Sequence, residues 1–122
     1  MTLRAFIVLT ALIIALPVFA HEPAKGPNGG RVAEAGDYHV ELVAKGTVVE
    51  VFLTDSNDKP VSATGFKGTA ILVVGGKSQR IALQSEGDTR LSGKANVVLP
   101  KMPKGVVQIS LPNGATAQAQ FK

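Results

Sequence analysis

"DYHVELVAKGTVVEVFLTD", residues 37–55, carries the pattern of two β-strands joined by a tight turn. Apolar and polar side chains alternate through its first half, as they do in a strand with one buried face. Its second half is rich in β-branched residues, and the dipeptide Lys45-Gly46 separates the two halves. The stretch therefore predicts a β-hairpin whose apolar face is formed by Tyr38, Val40, Leu42, Ala44, Val49, Val51 and Leu53.

The residues that follow this hairpin continue the β-pattern. Residues 55–60, DSNDKP, form a turn cluster of side chains that bond their own backbone. Residues 68–85, GTAILVVGGKSQRIALQS, predict a second hairpin with Gly75-Gly76 at its tip. The polar residues 85–95, SEGDTRLSGKA, predict a loop.

The last part of the chain predicts three more strands. NVVLP, residues 96–100, and GVVQISLP, residues 105–112, have the composition of short strands on either side of a KMPK loop. Asn113-Gly114 is the strongest turn dipeptide in the chain, and it is expected to join GVVQISLP to residues 115–122 as a terminal hairpin.

These elements predict an all-β fold for residues 31–122. Seven or eight short strands, with turn signals roughly every 8–12 residues, favour a small antiparallel β-sandwich of immunoglobulin-like type. A barrel is the alternative. The chain has no Trp and no Cys, so it lacks the Trp and Cys pair of a true antibody-type domain.

The first twenty residues have the features of an export signal. Arg4 and the terminal amine are positive, and the apolar run Ala5–Leu16 ends at Pro17. As a helix, residues 5–20 would extend ~24 Å, which is shorter than the ~30 Å hydrocarbon core of a bilayer. We therefore predict a signal peptide, residues 1–20, with cleavage after Ala20, and the alternative is an uncleaved membrane anchor. Residues 21–30, rich in Gly and Pro, then form a flexible lead-in.

Composition excludes several classes of function. The absence of Cys excludes disulfides, thiolate metal sites and a Cys nucleophile. The formal charge is +4, but the basic residues are dispersed, which favours a solvated basic surface over a nucleic-acid groove. The sequence contains no P-loop, dinucleotide fingerprint, nucleophile elbow or HExxH motif. We expect the protein not to be an enzyme.

The two histidines of the chain point to a metal site. His39 and Glu41 are two positions apart on a strand, so they project from one face with Cα atoms roughly 6.5–7 Å apart. Cleavage after Ala20 would give His21 a free α-amine beside its imidazole. An amine, two imidazoles and a carboxylate suit Cu(II), which favours tetragonal N,O ligation. Because the amine must lose its proton to bind, affinity is expected to weaken as pH falls.

Each of these residues also has a purely structural interpretation. His21 can be a polar start to the mature chain. His39 and Glu41 can belong to a solvated strand face, with a cross-strand Lys as their partner.

Residues 27 to about 93 resemble a small periplasmic β-domain encoded with bacterial heavy-metal efflux and resistance systems. Similar segments form N-terminal parts of some adaptor subunits of cation efflux pumps. The features that carry the resemblance are Gly29-Gly30, Val32, Glu34, Gly36, Tyr38-His39, Glu41-Leu42-Val43, Thr54-Asp55, the DKPV turn at residues 58–61, and a later Gly-Gly hairpin.

One position departs from that pattern. Such domains are expected to have a His directly before the Gly-Gly pair, and here Asn28 takes its place. The metal ligands that the resemblance implies are then His39 and Glu41, with Glu34 and Asp37 nearby. His21 is supported by its chemistry and not by an aligned position.

The sequence therefore predicts an exported periplasmic accessory protein that binds or hands over Cu(II) or another divalent transition metal. The expected partner is a periplasmic efflux adaptor or another envelope protein, with no nucleic acid and no stable membrane anchor after signal cleavage. The alternative is a non-catalytic envelope module for protein interaction that has no metal of its own.

Overall fold

Residues 24–122 are described by the structure, a computed structural model. The predicted signal peptide and His21 lie outside the described residues. Within 24–122 the chain forms eight strands and no helix, so the all-β prediction is confirmed. No helix in this part of the chain is long and apolar enough to cross a membrane. The strands are β1 Arg31–Ala35, β2 Tyr38–Lys45, β3 Val48–Asp55, β4 Lys67–Val74, β5 Lys77–Glu86, β6 Arg90–Lys94, β7 Lys104–Ser110 and β8 Thr116–Phe121.

All eight strands belong to one nearly closed antiparallel sheet. Their order across the sheet is β1-β2-β3-β6-β5-β4-β7-β8, and β1 at one end lies against β8 at the other. The hydrogen bonding is continuous from β1 to β8, as in the barrel alternative. The finer assignment to an immunoglobulin-like sandwich stays a prediction.

The core fills the inside of this sheet with aliphatic side chains. The predicted apolar face of the first hairpin is confirmed, since Val40, Leu42, Val49, Val51 and Leu53 are all buried. Tyr38 meets Phe66 edge-on, with ring centroids 5.7 Å apart. The other large buried members are Leu72, Ile81, Leu83, Leu91, Leu99, Val107, Ile109 and Phe121.

The predicted hairpins are confirmed, but two segments differ from the sequence prediction. Residues 90–94, predicted as part of a loop, form β6 and pair with both β3 and β5. A single buried side chain, Leu91, is enough there, because both edges of the strand are hydrogen-bonded. NVVLP, predicted as a strand, forms none, and Pro100 lacks the N–H that a ladder requires.

Arg31 holds the two ends of the sheet together. Its side chain is 5% exposed and donates hydrogen bonds to the backbone carbonyls of Pro103 and Lys122. Its guanidinium carbon lies 6.0 Å from the ring centroid of Phe121. This residue of β1 therefore contacts β8 and the segment before β7, and it closes the seam between the first and last strands.

Candidate functional site

The outer face of β1 and β2 carries three of the predicted metal ligands, Glu34, His39 and Glu41. Strand pairing places Glu34 opposite His39, His39 opposite Thr54, and Glu41 opposite Phe52. His39 and Glu41 therefore project from the same face, as the alternation predicted. Their side chains nevertheless have different partners.

The His39 imidazole lies between two carboxylates. Its Nδ1 atom is 2.8 Å from Asp58 Oδ1, and its Nε2 atom is 3.8 Å from Glu34 Oε1. The side chain of His39 is 25% exposed, whereas those of Glu34 and Asp58 are 83% and 81% exposed. The ring is thus held by Asp58 on its Nδ1 side, while its Nε2 side faces the exposed Glu34 carboxylate at a position that solvent can reach.

The turn after β3 brings Asp58 to the histidine. Asp55 Oδ1 accepts hydrogen bonds from the backbone N–H of Asn57 and of Lys59, at 2.8 and 3.0 Å. Asp58 has a positive φ of 61°, a conformation that Asp and Asn tolerate better than most residues. This backbone conformation fixes Asp58 beside Nδ1 of His39.

Glu41 is buried and bound by the lead-in. Glu41 is only 4% exposed. Its Oε2 atom accepts hydrogen bonds from the backbone N–H of Asn28 and Gly30, at 2.9 and 2.8 Å, and its Oε1 atom accepts one from Asn28 Nδ2 at 2.9 Å. The structure therefore does not bring the Glu41 carboxylate to His39, since its oxygens face residues 28–30.

Residues 24–30 of the predicted flexible lead-in form a turn against β2. The backbone N–H of Gly26 donates to the carbonyl of Gly30 at 2.9 Å, and that of Val32 donates to the carbonyl of Ala24 at 2.8 Å. Glycine is required at Gly26 because a Cβ atom there would overlap the Glu41 carboxylate. The buried carboxylate supplies the acceptor that orders a segment whose composition alone predicts no regular structure.

A cavity of about 450 Å³ lies beside Asp58. Its lining includes Ala24 and Pro27 of the lead-in, Phe52 of β3, and Asp58. The first described residue of the chain therefore lines the same cavity as the residue that contacts His39.

The remaining predicted ligands are not part of this cluster. Asp37 lies exposed in the turn between β1 and β2, and its side chain makes no hydrogen bond or ion pair with another described residue. His21 is outside the described residues. Across residues 24–122 no group of three or more His, Asp and Glu side chains is arranged to hold a metal ion. Of the predicted ligands, only His39 and Glu34 have side chains that approach each other in the described part of the chain.

Asp58 and Asn28 are the two site residues that sequence reasoning did not assign. The predicted hairpin could have located Asp58, because a turn at Gly46 places His39 opposite Thr54 and brings the DSNDKP turn to the histidine. No pattern in the sequence indicated the contact of Asn28 with Glu41.

Comparisons of the chain with protein-family models, with curated proteins and with solved structures gave no match.

Proposed function

We propose that this protein is an exported periplasmic accessory protein that binds divalent transition-metal ions, copper first, and hands them to an efflux partner. The observation that carries the proposal is the placement of the His39 imidazole between Asp58 and Glu34. The predicted export signal and the resemblance to efflux-associated domains support the location and the biological context.

Asp58 prepares His39 to bind an ion. An ionised carboxylate only accepts hydrogen bonds, so the proton of the neutral imidazole resides on Nδ1. Nε2 then carries the free lone pair. Histidines that bind metals usually donate their other ring N–H to a carboxylate or a carbonyl, which fixes the tautomer and the orientation of the ring. Asp58 is therefore a positioning residue.

Glu34 supplies the second ligand in this proposal. Its carboxylate is 3.8 Å from Nε2 and mostly exposed, so it can move to share an ion with the imidazole. One imidazole nitrogen and one carboxylate are compatible with Cu(II) or Zn(II). Two protein ligands give weak, exchangeable binding, as a protein that hands over its ion requires.

His21 would complete the set, in line with the sequence prediction. Its α-amine and imidazole become available when the chain is cut after Ala20. The hydrogen bonds from Asn28 and Gly30 to Glu41 support this arrangement, because they hold residues 24–30 against the cavity that Asp58 lines. Glu41 therefore acts as a structural anchor, and His39 with Glu34 is the preferred ligand pair on the strands.

Calorimetric titration with Cu(II) and Zn(II) tests the proposal. The protein is recovered from the periplasm of an expression host, and mass spectrometry identifies its N-terminus. We expect a Kd for Cu(II) tighter than ~100 μM. His39→Ala should weaken binding at least about tenfold, and Asp58→Asn by about tenfold, as loss of an orienting partner does. Asn keeps the preference for positive φ at position 58, so this variant isolates the charge.

Asp88→Asn is the matched control. Asp88 is exposed, and this change removes the same charge without touching His39. Its affinity for copper should equal that of the wild type. Affinity weaker than ~100 μM, or affinity that survives both His21→Ala and His39→Ala, would refute the proposed site.

A second candidate function is a non-catalytic module for protein interaction in the envelope. The observation that favours it is the exposure of two aliphatic side chains, Val98 at 72% and Met102 at 48%. Exposed apolar patches with polar rims commonly mark interaction sites. This function requires no metal, and neither Val98 nor Met102 lines the cavity beside Asp58.

A further inference from the structure

A groove of about 750 Å³ lies at one end of β2. Its walls are the lead-in turn at Gly29-Gly30, the turn at Gly46, and the segment from Val98 to Met102. Val43 and Leu99 form an apolar floor. Asp58 and His39 are not among the lining residues, although Lys25 and Asn28 line both this groove and the cavity beside Asp58.

The segment that carries Val98 and Met102 is fixed to the sheet. The backbone N–H of Leu99 donates to the carbonyl of Gly46 at 2.8 Å, and that of Ala95 donates to the carbonyl of Thr47 at 2.7 Å. Leu99 is 6% exposed, and Pro103 is buried. Because its anchors are buried, the backbone of this segment is held against the sheet and presents Val98 and Met102 outward. A surface that is already ordered loses little conformational freedom when it binds.

The charged residues that line the groove are all basic. They are Lys25, Lys45 and Lys101, and no acidic side chain lines the groove within the described residues. The nearest acidic partner is Glu50, whose Oε1 atom is 3.7 Å from the Lys45 amine. Lys45 is still 69% exposed, so it can pair with an incoming carboxylate.

We propose that this groove binds an extended segment of a partner protein in which aliphatic residues alternate with Asp or Glu. The aliphatic side chains would contact Val98 and Met102, and the carboxylates would meet the three lysines. A concave groove suits a peptide better than a flat lipid surface, and the flexible side chain of Met102 can adapt to different aliphatic partners. The inference rests on the second candidate function and names the chemistry of its partner.

Synthetic peptides of about ten residues in extended conformation test the inference. One alternates Glu with Leu, a second replaces Glu by Lys, and a third replaces Glu by Gln. Binding to the purified protein is followed by fluorescence anisotropy, and amide chemical shifts locate the site. We expect only the Glu peptide to bind, with shifts confined to the groove and an affinity that falls as salt is added.

Two sets of variants assign the binding to the groove. Val98→Ser combined with Met102→Ser should weaken binding of the Glu peptide about tenfold, as loss of central apolar contacts does. Val73→Ser is the matched control, because Val73 is 45% exposed and lies outside the groove. It should bind the peptide as the wild type does.

Three results would overturn the inference. Equal binding of the Glu, Lys and Gln peptides would exclude charge recognition. Shifts elsewhere on the sheet would move the interaction to another surface. Binding to vesicles of phosphatidylglycerol and phosphatidylcholine without binding to the Glu peptide would assign the face to membranes. Copper titration of the same variants separates these outcomes from failure of the metal proposal, since His39→Ala should leave peptide binding unchanged.

Discussion

Replacing Glu41 by glutamine removes a buried charge while it keeps the shape of the side chain. Glu41 accepts three hydrogen bonds from Asn28 and Gly30. The amide oxygen of Gln can still accept the two backbone N–H groups. The Asn28 amide can turn over to accept from the new NH₂ group. The substitution therefore weakens three charge-assisted hydrogen bonds to neutral ones, while each of these three contacts keeps a donor and an acceptor.

The expected cost follows from those three bonds. A hydrogen bond to a charged group contributes about 1.5–3 kcal/mol and a neutral one about 0.5–1.5 kcal/mol. The bonds share one carboxylate, so their losses are not additive, and we expect the free energy of unfolding to fall by about 2 kcal/mol. Glu41→Ala should cost about 3–4 kcal/mol, because it also leaves the buried N–H of Gly30 without an acceptor.

Urea denaturation followed by far-UV circular dichroism measures both changes, and amide hydrogen exchange at Gly30 locates them. Glu34→Gln is the control, because it removes the same charge from an exposed side chain on the same face, with an expected effect below ~0.5 kcal/mol. If Glu41→Gln changes the free energy of unfolding no more than Glu34→Gln does, and Gly30 keeps its protection, Glu41 does not anchor the lead-in.

Three further substitutions test the sheet. Arg31→Met should lower the free energy of unfolding by about 1–3 kcal/mol and speed amide exchange in β8, since two carbonyls lose their donor; unchanged exchange in β8 would contradict a role in closing the seam. Gly105→Ala should cost about 3 kcal/mol or more by thermal denaturation, because Gly105 has a φ of 145° and a Cβ atom would overlap the Ile71 carbonyl. Leu91→Ala should cost about 2–5 kcal/mol in the same assay, and a loss below ~1 kcal/mol would show that β6 is not a strand of the core.

Much of the sheet could be predicted because the hairpins are local. The alternation in β2, the turn at Gly46 and the dipeptide Asn113-Gly114 each specify a pairing between neighbouring segments. β6 also forms a local hairpin with β5, but its composition did not reveal it, because Leu91 is the only buried side chain in the polar stretch of residues 90–94. Its second pairing, with β3, joins residues far apart in the chain.

The same distinction between local and long-range features applies to the candidate site. Strand periodicity placed His39 and Glu41 on one face, which is a local property. What each side chain binds depends on segments that cross over that face. In the lead-in, Asn28 donates a hydrogen bond to Glu41, and the turn after β3 brings Asp58 to His39. A pattern of residues along one strand carries no information about such covering segments.

The Arg31 seam also has a consequence for the time that the chain needs to fold. The two hydrogen bonds of Arg31 join it to residues 72 and 91 positions away. Contacts of such high contact order require closure of long loops, whose entropy is lost before the contacts form, and sheets of this kind fold in roughly milliseconds to seconds. The sheet can therefore close only when its last strand is available, because β1 and β8 meet across the Arg31 seam.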